Sequence, residues 1–277
     1  MPVVAQRSRC GILGSMDGES GVDRALSPRE AARAPVGIVL AGGRSTRLRA
    51  VATREGGKAA LTLGGRTLLA AVVAALEPHV GRIVVVAAHH GMGVRATAGS
   101  DAVAVGSRPD VETIHDTVAD GGPLSALADA LRHVAGLRDA GDADEAARAT
   151  GLHAIEAVVV SCDVPLVRPE VVGLLLERLR LSGARWVVPE VHGHPQVLVS
   201  AVRGDLLPAI ERHLATGRRD LKGLLGTVAH ADPTAVVRLD PAAVALVDPE
   251  FDSFRDIDTP DDLAALRARI GSRSSQD

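Results

Sequence analysis

Four stretches of this chain are apolar at nearly every position: Val36–Ala41 (VGIVLA), Arg82–Ala88 (RIVVVAA), Ala157–Ser161 (AVVVS) and Arg185–Val188 (RWVV). A strand with one wet face alternates polar and apolar residues. An uninterrupted run belongs instead in a sheet covered on both sides. Between these runs lie segments with helical spacing: Leu68–Leu76, Pro123–Leu137, with Pro123 suited to a first turn, and Pro169–Leu181. Alternation of this kind predicts an α/β fold of three layers with a mostly parallel central sheet.

Elsewhere the pattern is looser. Asp101–Val105, Val197–Val202 and Val244–Val247 read as short strands, and Leu206–Leu214 and Asp220–Leu225 as helices. Thr259–Ile270 reads as a last helix. Thr259 is its N-cap, Pro260 its first residue and Asp262 the acid of a near capping box. Residues 36–270 thus form one α/β domain whose second half leans antiparallel. Residues 138–154 are polar and Ala-rich, as a solvated insertion would be. Residues 1–35 are rich in Arg, Ser and Gly, which predicts a disordered extension, and 271–277 a disordered tail.

Composition narrows the function. Trp186, Phe251 and Phe254 are the whole aromatic set, so stacking on nucleic-acid bases is a poor fit. The net charge of -3 lacks the basic excess of a nucleic-acid binder. No apolar run is long enough for a membrane span, and the N-terminal stretch lacks a secretory core. Cys10 and Cys162 are too few for a disulfide framework, which points to a reducing cytoplasm. Monomer and homo-oligomer both remain open.

The chemistry concentrates where strands end, because ligands of open α/β sheets bind beyond the carboxyl ends of the strands. After the first strand come Gly42-Gly43, then Arg44 and Arg47, with Lys58 further on. Glycines there bring backbone N–H groups close to a ligand, and the cations suit a polyphosphate. This is not a Walker loop: Ala52 and Ala59 occupy its first glycine and hydroxyl positions. Asp163, in Ser161-Cys162-Asp163-Val164-Pro165, follows the AVVVS strand and is either a Mg²⁺ ligand or a turn residue. Asp116 precedes Gly121-Gly122-Pro123, a helix start, and is either a ligand contact or a loop acid. Asp256 and Asp258 alternate before the last helix and share a side if extended. His89-His90 follow the second strand; His192 and His194 flank Gly193. No nucleophile elbow is present, so direct transfer between bound phosphates is favoured over a covalent enzyme intermediate.

Taken in order, these residues resemble a known family. Leu40-Ala41-Gly42-Gly43-x-Ser45-x-Arg47 with Lys58 resembles the signature of the Rossmann-like nucleotidyltransferases, and most of all the molybdenum cofactor guanylyltransferases. Gly65-Arg66-Thr67-Leu68-Leu69, Gly122-Pro123-Leu124-x-Ala126, Cys162-Asp163-Val164-Pro165, Gly193-x-Pro195-Gln196 and Asp256-Ile257-Asp258-Thr259-Pro260-x-Asp262-Leu263 follow in the family's order. The resemblance implies transfer of GMP from GTP to molybdopterin with release of pyrophosphate. Leu40, Ala41, Gly42, Gly43, Lys58, His89, Asp116 and Asp163 would bind the nucleotide, with Arg47 and Lys58 on its phosphates and Arg47, Lys58 and Asp163 as the catalytic set. Asp163 would hold Mg²⁺, with Asp258 as a second ligand. Transfer of CMP, transfer to another small phosphate, and a non-catalytic nucleotide-binding relative are the alternatives. The chain departs from the family pattern in places. Arg49 and Gly57 replace a usual Gly and Asp, ten residues separate Arg47 from Lys58, His89 replaces a common Asn, and Val197 a common Pro.

Overall fold

Strand β1 (Val36–Leu40) is buried at all five residues and lies inside the sheet. The computed structural model describes residues 34–42, 57–88, 109–138 and 151–273. Gly43, Arg47, His89, His90, the strand expected at Asp101–Val105, and most of the insertion and both termini lie outside them. β1 pairs in parallel with β4 (Arg82–Ala87) on one side and β6 (Glu156–Ser161) on the other. β5 (Asp110–His115) adds in parallel outside β4. Beyond β6 the direction changes. β9 (Val199–Arg203) runs antiparallel between β6 and β7 (Trp186–Val191). β10 (Val236–Leu239) then pairs in parallel with β7, and β8 (His194–Pro195) closes a short hairpin onto β7. The sheet is mostly parallel with an antiparallel step in its second half, as its apolar strands require.

Helices cover both faces. On one, α2 (Gly122–Arg138), α4 (Leu207–Ala215) and α5 (Leu221–Ala231) bury Leu124, Leu131, Ile210 and Leu224 against Ile38, Val84 and Val159. On the other, α1 (Leu68–Leu76) and α3 (Pro169–Ser182) pack Val72, Leu76, Leu175 and Leu179 against Val39, Val85 and Val158. A smaller cluster holds α7 (Pro260–Arg273): Ile257, Leu263 and Leu266 meet Leu61, Leu63 and Leu68. Leu61 and Leu63 flank and enter the hairpin of β2 (Thr62–Leu63) and β3 (Arg66–Thr67), which leads into α1. Its turn residues Gly64 and Gly65 both have positive φ, which glycine adopts without strain. Among the described residues no helix is long and apolar enough to cross a membrane.

Helix ends follow local chemistry. Thr67 Oγ1 accepts the Ala70 N–H at 3.1 Å and starts α1. Thr259 and Asp262 form the capping box expected of them. Asp262 Oδ2 accepts the Thr259 N–H at 2.7 Å, and Thr259 Oγ1 accepts the Asp262 N–H at 3.2 Å. The strand expected at Val244–Val247 is not there. Asp240 caps a short helix, α6 (Pro241–Ala245), by accepting the Ala242 N–H at 2.7 Å, and Pro241 supplies its fixed φ at the first position. Val244 is buried as a helical residue beneath β7, so its apolar character came from packing and not from a strand. β5 and β10 were not expected; their partly exposed, charge-bearing sequences lack the continuous apolar signature.

Trp186 is fully buried, and its indole N–H donates to Ser200 Oγ at 3.1 Å; that hydroxyl donates in turn to the Val197 carbonyl at 3.0 Å. Ser200→Ala strands the indole N–H, which costs about 1–3 kcal/mol. A urea titration followed by the fluorescence of this single tryptophan should show the midpoint falling accordingly.

Candidate active site

Three strands deliver their last residues to one edge. The ladder continues a step beyond each strand: the Ala41 N–H donates to Val86 O at 2.9 Å, Cys162 N–H to Leu40 O at 3.1 Å, and Asp116 N–H to Ala87 O at 2.9 Å. Gly42, Asp116 and Asp163 therefore emerge on the same side. A Cβ built on Gly42 would lie 3.1 Å from Asp116 Oδ2. The Asp116 carboxylate is thus tucked against the Gly42 backbone, an approach that a larger residue would crowd.

A second acid fixes the loop after β5. Asp129 is buried on α2 and accepts the Thr117 N–H at 2.9 Å, the Thr117 hydroxyl at 2.8 Å and Arg132 Nη1 at 2.9 Å. Asp120 and Gly122 then turn the chain with positive φ into the N-terminus of α2. Sequence reasoning missed Asp129. The signal was an acid set among Leu124, Leu127, Ala128 and Leu131, which only a buried network accommodates.

At the end of β6 the charges converge. Lys58 lies on a short 3-10 turn (Gly57–Ala60). Its Nζ donates to Asp163 Oδ2 at 3.1 Å and to Asp258 Oδ1 at 2.8 Å, from positions 105 and 200 residues away. The Lys58 side chain is 12% exposed, against 21% for Asp163 and 51% for Asp258, so the cluster opens on the Asp258 side. Burial pulls the Lys58 pKa down, but the charges and hydrogen bonds of Asp163 and Asp258 outweigh it. The net position is above the usual lysine value, and the ammonium stays charged. Burial, and then the charges of Asp258 and Asp163, push Asp256 above the usual carboxylate value. Asp256 and Asp258 are thus in electrostatic reach of the same centre. Burial and then the Asp163 charge push the Cys162 thiol up to about 12, so it carries no thiolate near neutrality.

Asp258 is brought to this place by backbone. The Ile257 N–H donates to the Asp163 carbonyl at 2.9 Å, and the Ile257 side chain is fully buried. Asp262 Oδ2 also accepts the Asp258 N–H at 3.0 Å. Upstream, buried Asp252 pairs with Arg255 and Arg269, each at 2.9 Å, and buried Asp248 accepts the Ser253 N–H at 2.8 Å. Nothing in the spacing of these residues pointed to this network.

The β7–β8 hairpin lies toward the same edge, because β6 and β7 both pair antiparallel with β9 and so run in the same direction. His192 and Gly193 form its turn with positive φ, and the His192 ring meets Phe251 edge-on at 5.6 Å. The structure thus gathers Leu40, Ala41, Gly42, Asp116, Lys58, Asp163 and Asp258 at the β1–β5–β6 edge. Gly43, Arg47 and His89 lie outside the described residues.

A family model for the MobA-like NTP transferase domain matches residues 37–233. A Haloferax mediterranei protein named "Probable molybdenum cofactor guanylyltransferase" is 30% identical over 236 residues, covering 84% of this chain and 93% of its own. A Mycobacterium avium protein of the same name is 31% identical over 231 residues, covering 83% and 93%. Among solved structures, molybdopterin-guanine dinucleotide biosynthesis protein A from Archaeoglobus fulgidus superposes with a TM-score of 0.60 at 23% identity, over 86% of this chain and 99% of that one. The 4-diphosphocytidyl-2C-methyl-D-erythritolsynthase of Anaerococcus prevotii gives 0.57 at 12% identity, over 87% and 97%. At these identities the two structures speak for the fold. The matched span runs from β1 past α5 and takes in Gly42, Lys58, Asp116 and Asp163, and the chain belongs to the MobA-like NTP transferase family.

Proposed function

We propose that the protein transfers GMP from GTP to molybdopterin and releases pyrophosphate. The observation that carries this reading is the Lys58 ammonium held between Asp163 and Asp258 at the strand edge from which Gly42 and Asp116 also emerge. The two guanylyltransferase-named relatives support the choice of guanine and molybdopterin.

The roles follow from chemistry. The backbone at Leu40, Ala41 and Gly42 holds the nucleotide, with Asp116 behind Gly42 as a polar contact. Gly43 and His89 belong to the same binding set, and Arg47 joins Lys58 on the phosphates. A terminal phosphate oxygen of molybdopterin attacks the α-phosphorus of GTP. The bond from that phosphorus to the β-phosphate oxygen breaks, and pyrophosphate leaves with the electron pair. Such transfer needs positioning and charge neutralisation more than covalent help. Lys58 offsets the charge on the oxygens of the moving phosphate.

The acids fit a divalent cation. Mg²⁺ takes one or two carboxylates and completes its shell with water and substrate phosphate. Asp163 and Asp258 both direct an oxygen at one point, the Lys58 Nζ, so two carboxylates of the kind such an ion takes lie within reach of one position. Mg²⁺ held by these two residues would supply further charge neutralisation at the α-phosphate.

Pyrophosphate release from each nucleoside triphosphate with molybdopterin tests the reading. GTP should be the best donor, and Asp163→Asn should slow turnover by about 10²–10³-fold while the protein stays folded. Turnover with CTP above GTP would move the protein to the cytidylyl class. GTP binding without turnover would make it a binding protein.

Two further outcomes are expected. Gly42→Ala sets a methyl 3.1 Å from Asp116 Oδ2 and should raise the KM for the nucleotide about tenfold or more, as loss of a well-oriented polar contact does. Steady-state kinetics with varied GTP would read it. Cys162→Ala should leave kcat within about threefold, because a buried thiol titrating at about 12 is no nucleophile near neutrality.

A further inference from the structure

Lys58 holds a place that a shared metal would need. Its Nζ stands 3.1 Å from Asp163 Oδ2 and 2.8 Å from Asp258 Oδ1. A divalent ion bound to the same two oxygens occupies the space between them, since Mg²⁺ binds oxygen at about 2.0–2.1 Å. The ammonium and the metal therefore exclude each other at this point. Among the described residues no group of three or more His, Cys, Asp or Glu side chains is arranged to hold a metal. An ion arriving alone would have to displace a doubly paired ammonium and would gain only two protein carboxylates.

A nucleoside triphosphate alters both conditions. Its phosphate oxygens offer the ammonium another anion, and they fill ligand positions that the protein leaves to solvent. The backbone of Lys58 has little freedom to follow: its carbonyl accepts the Leu61 N–H at 3.1 Å, and neighbouring Ala59 is buried. Movement is left to the flexible four-carbon stem.

We propose that Lys58 is a resident counter-ion for the two metal-binding acids, yielding its place to a divalent cation only when a nucleoside triphosphate arrives. Nucleotide and metal then load together, and free cation is refused. The inference rests on the nucleotidyltransferase reading and adds to Lys58 a role before the chemistry begins.

The test uses the full chain and Mn²⁺ as the probe, with free Mn²⁺ followed by electron paramagnetic resonance and heat of binding by calorimetry. Without nucleotide, Lys58→Met should bind Mn²⁺ about tenfold tighter than the unmodified protein, within the usual range of coupling between sites. Adding Asp163→Asn to that variant should erase the gain. A GTP analogue with a non-hydrolysable α,β-bridge should tighten Mn²⁺ binding more in the unmodified protein than in Lys58→Met. If Lys58→Met does not fold by circular dichroism, Lys58→Gln serves in its place. Equal Mn²⁺ affinity with and without the lysine charge overturns the proposal. Pyrophosphate release by the unmodified protein, measured alongside, separates the two ideas. Turnover with unchanged Mn²⁺ affinity removes the counter-ion role and leaves the function. Tighter Mn²⁺ binding with no turnover of any triphosphate does the reverse.

Discussion

Carboxylates gathered at the end of a buried strand repel one another unless a positive group lies among them. Lys58 is that group: it ties the turn after β6 to the segment before α7 and closes the edge around Asp163. The remaining architecture can be understood as the means of bringing three distant parts of the chain to this contact. The Gly57–Ala60 turn brings the cation, β6 the first acid, and the C-terminal segment the second. The interaction is partly exposed on the Asp258 side, so its value lies in placement more than in stability.

Placement depends on register. Leu40 lies opposite Val86 on one side and Ser161 on the other. A parallel sheet with these pairings aligns the strand ends, and their next residues meet at one rim. The acids Asp129, Asp248 and Asp252 do quieter work inside the protein. Each is buried and each accepts several donors, as burial of a carboxylate demands. They set the loops that carry Asp116 and Asp258.

Much of this was legible because some residues announce their own environment. The apolar runs at β1, β4 and β6 marked interior parallel strands, and Thr259 with Asp262 marked a helix start. β5 was hidden because Asp110, Glu112 and His115 interrupt its apolar character. Val244 misled because burial beneath a sheet selects the same residue in a short helix as in a strand. At the site, glycine and aspartate at strand ends marked the rim. Their partners were not visible: the Lys58–Asp258 contact joins residues 200 positions apart, and no local spacing encodes it.

The stitch between the Ile257 amide and the Asp163 carbonyl bears on how such a protein is made. The sheet is complete once β10 has left the ribosome, yet Asp258 emerges later and is drawn in by that amide and by Ile257 sinking among leucines. Synthesis thus yields a finished scaffold before a finished rim. The segment that makes the acid pair whole is translated after every described strand of the sheet.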